Sequence, residues 1–465
     1  MSTALELARW QFALTTLYHF TFVPLTMGLA PLLAVMQTIW YRTGDERWLR
    51  LTRFFAVLFV INFAIGAATG IVQEFQFGMN WSGFSRYVGD VFGAPLAIEG
   101  IGAFMLESTF IGLWIFGRDL LGPRVHLACV YVVWFGTWLS AYFIIAANSW
   151  MQHPVGYTIN TSTGRAQATD IWAILFQRLT IMAFVHVVFA GLLTGGFVVL
   201  GVACWHLLRG RNVELFQRAA RLAIVVVLPV SLIQLGWGSE LGVAMTDVQP
   251  MKIAASEALW NTAQPAPFSL FQIGGFTASD PTPSFSIEIP GLLSFLATNS
   301  FTAAVKGINQ VQASEAQAHG PGNYVPNVRL SYWSMRVMAY LGTLSAILAI
   351  WGAVLLRRKR LVDSRWFQRT ALAGIALPFL ANFAGWILTE TGRQPWIVYG
   401  LQRTAQGVST TSSTAMVGLS LAVFVGLYTT LAIVDFWLMR RYARLDPPEI
   451  AEAPIGAVPP PAPQY

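Results

Sequence analysis

Charge is what this sequence has least of. Only 11% of its residues are Asp, Glu, Lys or Arg, 55% are hydrophobic, and the mean hydropathy is +0.55. Soluble domains carry roughly 25% charged residues. A single water-soluble core is therefore excluded, and a chain this apolar must face lipid. Cysteine is nearly as scarce. Cys129 and Cys204 both lie in apolar runs, which excludes a disulfide framework, a zinc motif and a C-x-x-C-H attachment. No cleavable leader is expected from the first residues either: Glu6 interrupts the basic region one needs, and the apolar stretch that follows is too long. The net charge of +7 implies no nucleic-acid partner, because the basic residues cluster in short loops between apolar runs.

Those runs are long enough to span a bilayer, which takes about 20 residues each. They lie near 13–39, 53–77, 95–116, 127–147, 177–206, 220–243, 331–356, 370–389 and 412–437. The expected organisation is an all-α integral membrane protein of about nine transmembrane helices. Residues 1–243 would hold helices one to six, a polar loop would occupy 244–330, and 331–445 would hold helices seven to nine. Residues 446–465 (PPEIAEAPIGAVPPPAPQY after Asp446) read as a disordered Pro-rich tail. Within the long loop one amphipathic helix is predicted from Lys252 to Trp260; long loops of this kind are functional or disordered. Arginine alternates along the connections. Arg42, Arg47, Arg50 and Arg53 fall in the first, Arg209, Arg211, Arg218 and Arg221 in the fifth, RRKRLVDSRWFQR in the seventh, and Arg440, Arg441 and Arg444 follow the last span. The positive-inside rule then puts the N-terminus outside and the C-terminus and its tail in the cytoplasm, with the long loop outside.

Ionisable groups inside spans are costly and mark function. Of six histidines, only His19 and His186 fall well inside spans; the other four lie in loops or at span ends. Glu99 and Glu107 share the third span, and Glu390 ends the eighth. At 1.5 Å per residue, His19, His186, Glu99, Glu390 and Met338 share one layer towards the outer face. Glu107 lies eight residues further along, roughly 12 Å deeper. Neutral imidazole is a common haem ligand, and His with Met holds a six-coordinate, electron-transferring haem. Haem propionates call for Arg, which pairs with carboxylates in a planar fork; Arg336 and Arg393 sit at the same level. Other readings of these residues stand beside this one: proton sites of a secondary transporter, or a haem b electron carrier without oxygen chemistry.

At these residues the chain resembles subunit I of the cytochrome bd quinol oxidases. The segments that carry the likeness are YHFTFVPLTMG with His19, IVQEFQFGMNWSGFSRYVGDVFGAPLAIEG running into FMLESTFIG with Glu99 and Glu107, NSWMQHPVG, QPMKIAASEALW, RVM, and GWILTETGRQPW with Glu390 and Arg393. The resemblance implies two four-helix groups plus a ninth span in a bacterial cytoplasmic membrane. It also implies oxidation of ubiquinol or menaquinol with reduction of oxygen to water, building a proton-motive force without a separate pump. His186 and Met338 would ligate a low-spin haem b. His19 and Glu390 would ligate a high-spin haem b and a haem d (or a further haem b), with Glu99 beside that pair. Lys252 and Glu257 would bind quinol in the outer loop, here the family's short Q-loop form. Subunit II, with or without a small accessory subunit, would complete the enzyme. Glu107, adjoining Ser108, is expected to relay cytoplasmic protons towards Glu99.

Overall fold

A computed structural model describes residues 3–449. Among the described residues, nine helices are long and apolar enough to span: α1 (Thr3–Thr43), α2 (Glu46–Met79), α3 (Ser82–Phe116), α4 (Pro123–Gln152), α5 (Arg178–Leu208), α6 (Val213–Val248), α7 (Val328–Arg357), α8 (Arg365–Thr391) and α9 (Thr414–Tyr442). Each expected run matches one of them, the fifth and ninth starting one and two residues before their helices. The ends differ most in α1, α3 and α6. α1 has 41 residues, about 60 Å of helix against a hydrocarbon core of about 30 Å. Its polar first turns and those of α3 read as loop by hydropathy, yet they are helical because they pack on other structure at that end: Leu5 and Ala8 share an apolar cluster with Trp81, Phe84, Val88 and Val398.

α1 contacts α2, α4 and α5; α3 packs on α4; α5 to α8 contact one another around a second group; α9 lies against α1 and α2. This is the expected pair of four-helix groups with a ninth span. The groups meet where α1 crosses α5. A Cβ on Gly28 would overlap the Gly191 carbonyl, and one on Gly195 would overlap the Gly28 backbone. Small residues let membrane helices approach this closely. α3 is interrupted by a π-helical turn, Glu99–Phe104, a distortion frequent at functional sites.

The stretch between α6 and α7 is ordered. It holds a short helix (Pro250–Ser256), an antiparallel hairpin (Phe268–Gly274 with Pro283–Ile289), and two further helices (Leu292–Thr298 and Ile308–His319). Its own apolar cores, such as Met251, Ala255, Trp260, Ile308 and Val311, are what hold it. The helix expected over Lys252–Trp260 ends early. Ala258 sits at φ 49°, and Trp260 turns away to donate its indole N–H to the Gly275 carbonyl at 2.8 Å. The tail expected from residue 446 starts later than its composition suggests: Asn212 donates to Asp446 at 2.9 Å, and Arg50 donates to the Pro447 and Pro448 carbonyls. Residues 450–465 of that tail lie outside the described residues.

Candidate functional site

His19 is held in a defined tautomer. Thr69 on α2 donates its hydroxyl to the carbonyls of Ile65 and Gly66, so its oxygen accepts from His19 Nδ1 at 3.0 Å. The proton is thereby fixed on Nδ1 and the Nε2 lone pair is left for a ligand. Gly70 keeps that side open, since a Cβ there would lie 3.1 Å from His19 Cε1. One residue on, Phe20 stacks on Trp386 of α8 at 5.3 Å, one turn before Glu390.

His186 on α5 meets the Gln234 side-chain amide of α6 at 3.2 Å through Nε2. Its Nδ1 is buried without a partner. Met338 on α7 faces Gly385 of α8, where a Cβ would come within 2.9 Å of the thioether sulfur. Two imidazoles with free ring nitrogens, a thioether and a carboxylate, each beside glycine or amide rather than bulk, form a donor set that fits haem iron.

Glu390 heads a buried polar chain. Its Oε1 accepts from Asn148 at 2.9 Å and its Oε2 from Arg393 at 2.6 Å. Gln152 donates to Asn148 at 2.8 Å, and Lys252 donates to Gln152. Burial, reinforced by Arg393, pushes the Lys252 ammonium down to about 7. Arg393 retains two buried N–H groups, Nε and Nη1, without partners. These are what a propionate would take.

Arg336 differs. All five of its donors are committed: two to Glu257 at 3.1 and 2.6 Å, two to the Ser269 carbonyl at 3.0 and 2.6 Å, one to the Ser256 carbonyl at 2.5 Å. Arg336, expected beside Arg393 as a propionate partner, here clamps the loop between α6 and α7 to α7. Burial raises the Glu257 carboxyl against the pull of Arg336. Beside this pair lies a groove of about 450 Å³ between the hairpin and α7, walled by Phe268, Leu270, Met335, Ala339, Tyr340 and Leu344, with Arg336 among its residues.

Glu99 accepts from Ser140 at 2.5 Å and Glu107 accepts from Thr137 at 2.6 Å. Those hydroxyls are three residues apart on α4, a rise of about 4.5 Å. The two carboxylates, eight residues apart on α3, thus hang from neighbouring anchors on α4. Lys252 and Glu257 are brought to two different networks.

Thr69, Gln234, Ser140, Thr137, Asn148 and Gln152 are partners that sequence reasoning did not single out. Asn148 and Gln152 lie inside NSWMQHPVG, four apart on one helical face, which is the signal that could have found them. Asp435 of α9 is a further in-span carboxylate with one oxygen buried and unpartnered.

Comparison with known proteins gives one answer. The family model of cytochrome bd terminal oxidase subunit I matches residues 7–447. The chain is 44% identical over 438 residues to cytochrome bd ubiquinol oxidase subunit 1 of Bacillus subtilis (strain 168), covering 94% of this chain and 93% of the relative. It is 38% identical to cytochrome bd-II ubiquinol oxidase subunit 1 of Escherichia coli (strain K12), covering 96% and 98%. In three dimensions it matches the bd oxidase of Geobacillus thermodenitrificans with a TM-score of 0.86 at 28% identity, covering 95% of this chain and 98% of that one. The chain belongs to the cytochrome bd terminal oxidase subunit I family, haem-bearing quinol oxidases of bacterial membranes that work as complexes with other subunits.

Proposed function

We propose the following division of labour within the quinol-oxidising, oxygen-reducing reaction of this family. His186 and Met338 hold a low-spin haem b. His19 and Glu390 hold the high-spin haem b and a haem d (or a further haem b), with Glu99 beside them and Arg393 supplying its two free N–H groups to a propionate. Bound there, the haems supply electron transfer and oxygen reduction; the chain's own part is ligation, spacing and the movement of protons. Quinol is read at the outer loop. Its apolar ring enters the groove beside Leu270 and Tyr340 on the Glu257 side of the segment, and Lys252, on the other face of that segment, receives the released protons. Glu107 passes protons to Glu99 from the cytoplasmic side, so potential builds without a pump. The N-terminus faces outside, and subunit II, with or without a small accessory subunit, covers the exposed faces.

The observation that carries this reading is the Arg336–Glu257 clamp. It ties the outer loop to α7 two residues from Met338, so the place where quinol is read and a haem-ligand candidate share one helical turn. Leu270→Trp tests it by narrowing the groove without touching the clamp. The expected result is a raised KM for quinol in the complete oxidase, with turnover on an artificial one-electron donor unchanged. Equal loss with both donors would mean that the groove is not the quinol entry.

A further inference from the structure

The reading above leaves the protons released by quinol at Lys252, and the outer domain carries a route for them. A small cavity lies against Lys252, lined also by Gln249, Glu315, Arg393, Trp396 and Tyr399. Its free volume for the centre of a water, about 10 Å³, is close to what a single water needs. Residues that line it carry buried polar atoms without hydrogen-bond partners, Gln249 Oε1, Glu315 Oε2 and Trp396 Nε1, besides the Arg393 N–H groups that a propionate would take. A site so furnished suits a bridging water, which requires two to four such partners.

Glu315 is the part of this cavity that the ligand chemistry does not use. It lies on the helix Ile308–His319 of the outer loop, only 7% exposed. Tyr399 donates to its Oε1 at 2.6 Å. Burial, with the Glu315 carboxylate beside it, raises the Tyr399 phenol, which keeps its proton and holds the carboxylate in place. The other oxygen, Oε2, lies 3.7 Å from His319 Nε2. The His319 side chain is 31% exposed and is the last of the three before water. Its ring rests edge-on against Trp396 at 5.0 Å, and Gly400 leaves it room, a Cβ there lying 3.5 Å from His319 Cε1. The charged and titratable groups facing Glu315 are thus Lys252 and Arg393 across the cavity, Tyr399 and His319; Arg403 is held off by donating to the Tyr324 hydroxyl at 2.5 Å. Exposure rises in order from Lys252 to Glu315 to His319, as an outward proton path requires.

We propose that Glu315 and His319 form the exit relay for quinol protons, carrying them from Lys252 to the outer surface. Oxidation of one quinol breaks two O–H bonds. The two electrons pass to the haems, and the two protons leave one at a time: from Lys252 to the cavity water, to Glu315 Oε2, to His319, and into bulk solvent. The inference rests on Lys252 as the quinol-side proton acceptor.

The test uses the complete oxidase complex in vesicles. Glu315→Gln preserves the shape and the Tyr399 contact but cannot carry a proton. Expected is at least a tenfold loss of quinol turnover with unchanged KM, a larger solvent deuterium isotope effect, and normal turnover on a one-electron donor that releases no protons. His319→Ala, at a partly exposed position, should show a smaller loss that added imidazole restores. Wild-type quinol turnover and isotope effect in Glu315→Gln would overturn the relay, as would loss with both donor types or failure of imidazole in His319→Ala. Lys252→Met separates the two levels. Full quinol turnover in that variant would remove the reading on which the relay rests; slowed turnover there with a normal Glu315→Gln would remove the relay alone.

Discussion

The Arg336–Glu257 clamp makes a quantitative demand on the outer loop. The two side chains are 0% and 4% exposed and their shortest contact is 2.6 Å. Removing one member of such a buried pair costs about 3–5 kcal/mol, because the remaining charge is left unpaired. Glu257→Leu therefore raises the population of opened outer loop by about two to three and a half orders of magnitude, at 1.4 kcal/mol per decade. Adding Arg336→Met removes the orphaned charge. What remains is the cost of the Ser256 carbonyl, which loses its donor, about 1–3 kcal/mol, since the Ser269 carbonyl keeps the Tyr332 hydroxyl at 3.5 Å. The double variant should thus open less readily than Glu257→Leu alone, by tenfold or more. Limited proteolysis of the intact complex from the outer side reads this, since cleavage follows the open population when reclosing is fast. A Glu257→Leu protein as resistant as wild type, or a double variant cut faster than the single one, would refute the clamp.

Three further expectations follow from other parts of the structure. With Lys252 pushed down to about 7, its neutral, proton-accepting form grows as pH rises through that value; quinol turnover should rise from pH 6 to 8, and Lys252→Met should abolish that limb of the profile. Gly385→Ala places a methyl 2.9 Å from the Met338 sulfur, so the thioether must shift; the low-spin haem absorbance should change as it does in Met338→Leu and His186→Ala, and an unaltered spectrum in all three would remove Met338 and His186 as ligands. Alkaline phosphatase fused after Ser82 or within 260–320 should be active and fused after Arg211 or Arg444 inactive; activity after Arg211 would reverse the orientation.

The spans were legible because hydropathy reports burial in lipid, and each apolar run became a helix. Their ends were less so. The first turns of α1 and α3 carry polar residues such as Glu6, Arg86 and Asp90, and only the cluster of Trp81, Phe84 and Val398 explains their helicity. Ligand types could be read from His19, His186 and Glu390 alone, but roles that depend on a tertiary partner could not. Arg336 and Arg393 look alike in sequence; one has every donor committed and the other has two free. Glu99 and Glu107 were separated by straight-helix arithmetic, whereas the π-turn at Glu99–Phe104 and the hydroxyls of Ser140 and Thr137 that anchor the two carboxylates depend on the packing of α3 against α4, which the sequence does not state.

The divergence of Lys252 and Glu257, by contrast, is a matter of helical geometry. At 3.6 residues per turn, positions five apart point about 140° from one another, so two residues on this short helix cannot easily grip one small head group from the same side. The structure resolves this by giving the helix two working faces. Lys252 turns to Gln152 on α4 and, through Asn148, to Glu390. Glu257 turns to Arg336 on α7, the helix of Met338. One face has a lowered ammonium beside a polar cavity and suits the handling of protons; the other has a fully satisfied ion pair beside an apolar groove and suits the holding of a ring. Substitutions at the two positions should accordingly fail in different ways. Lys252→Met should lower kcat and change the isotope effect while the loop stays resistant to protease, and Glu257→Leu should loosen the loop and raise KM. The same pattern in both variants would mean that the helix acts as one contact after all.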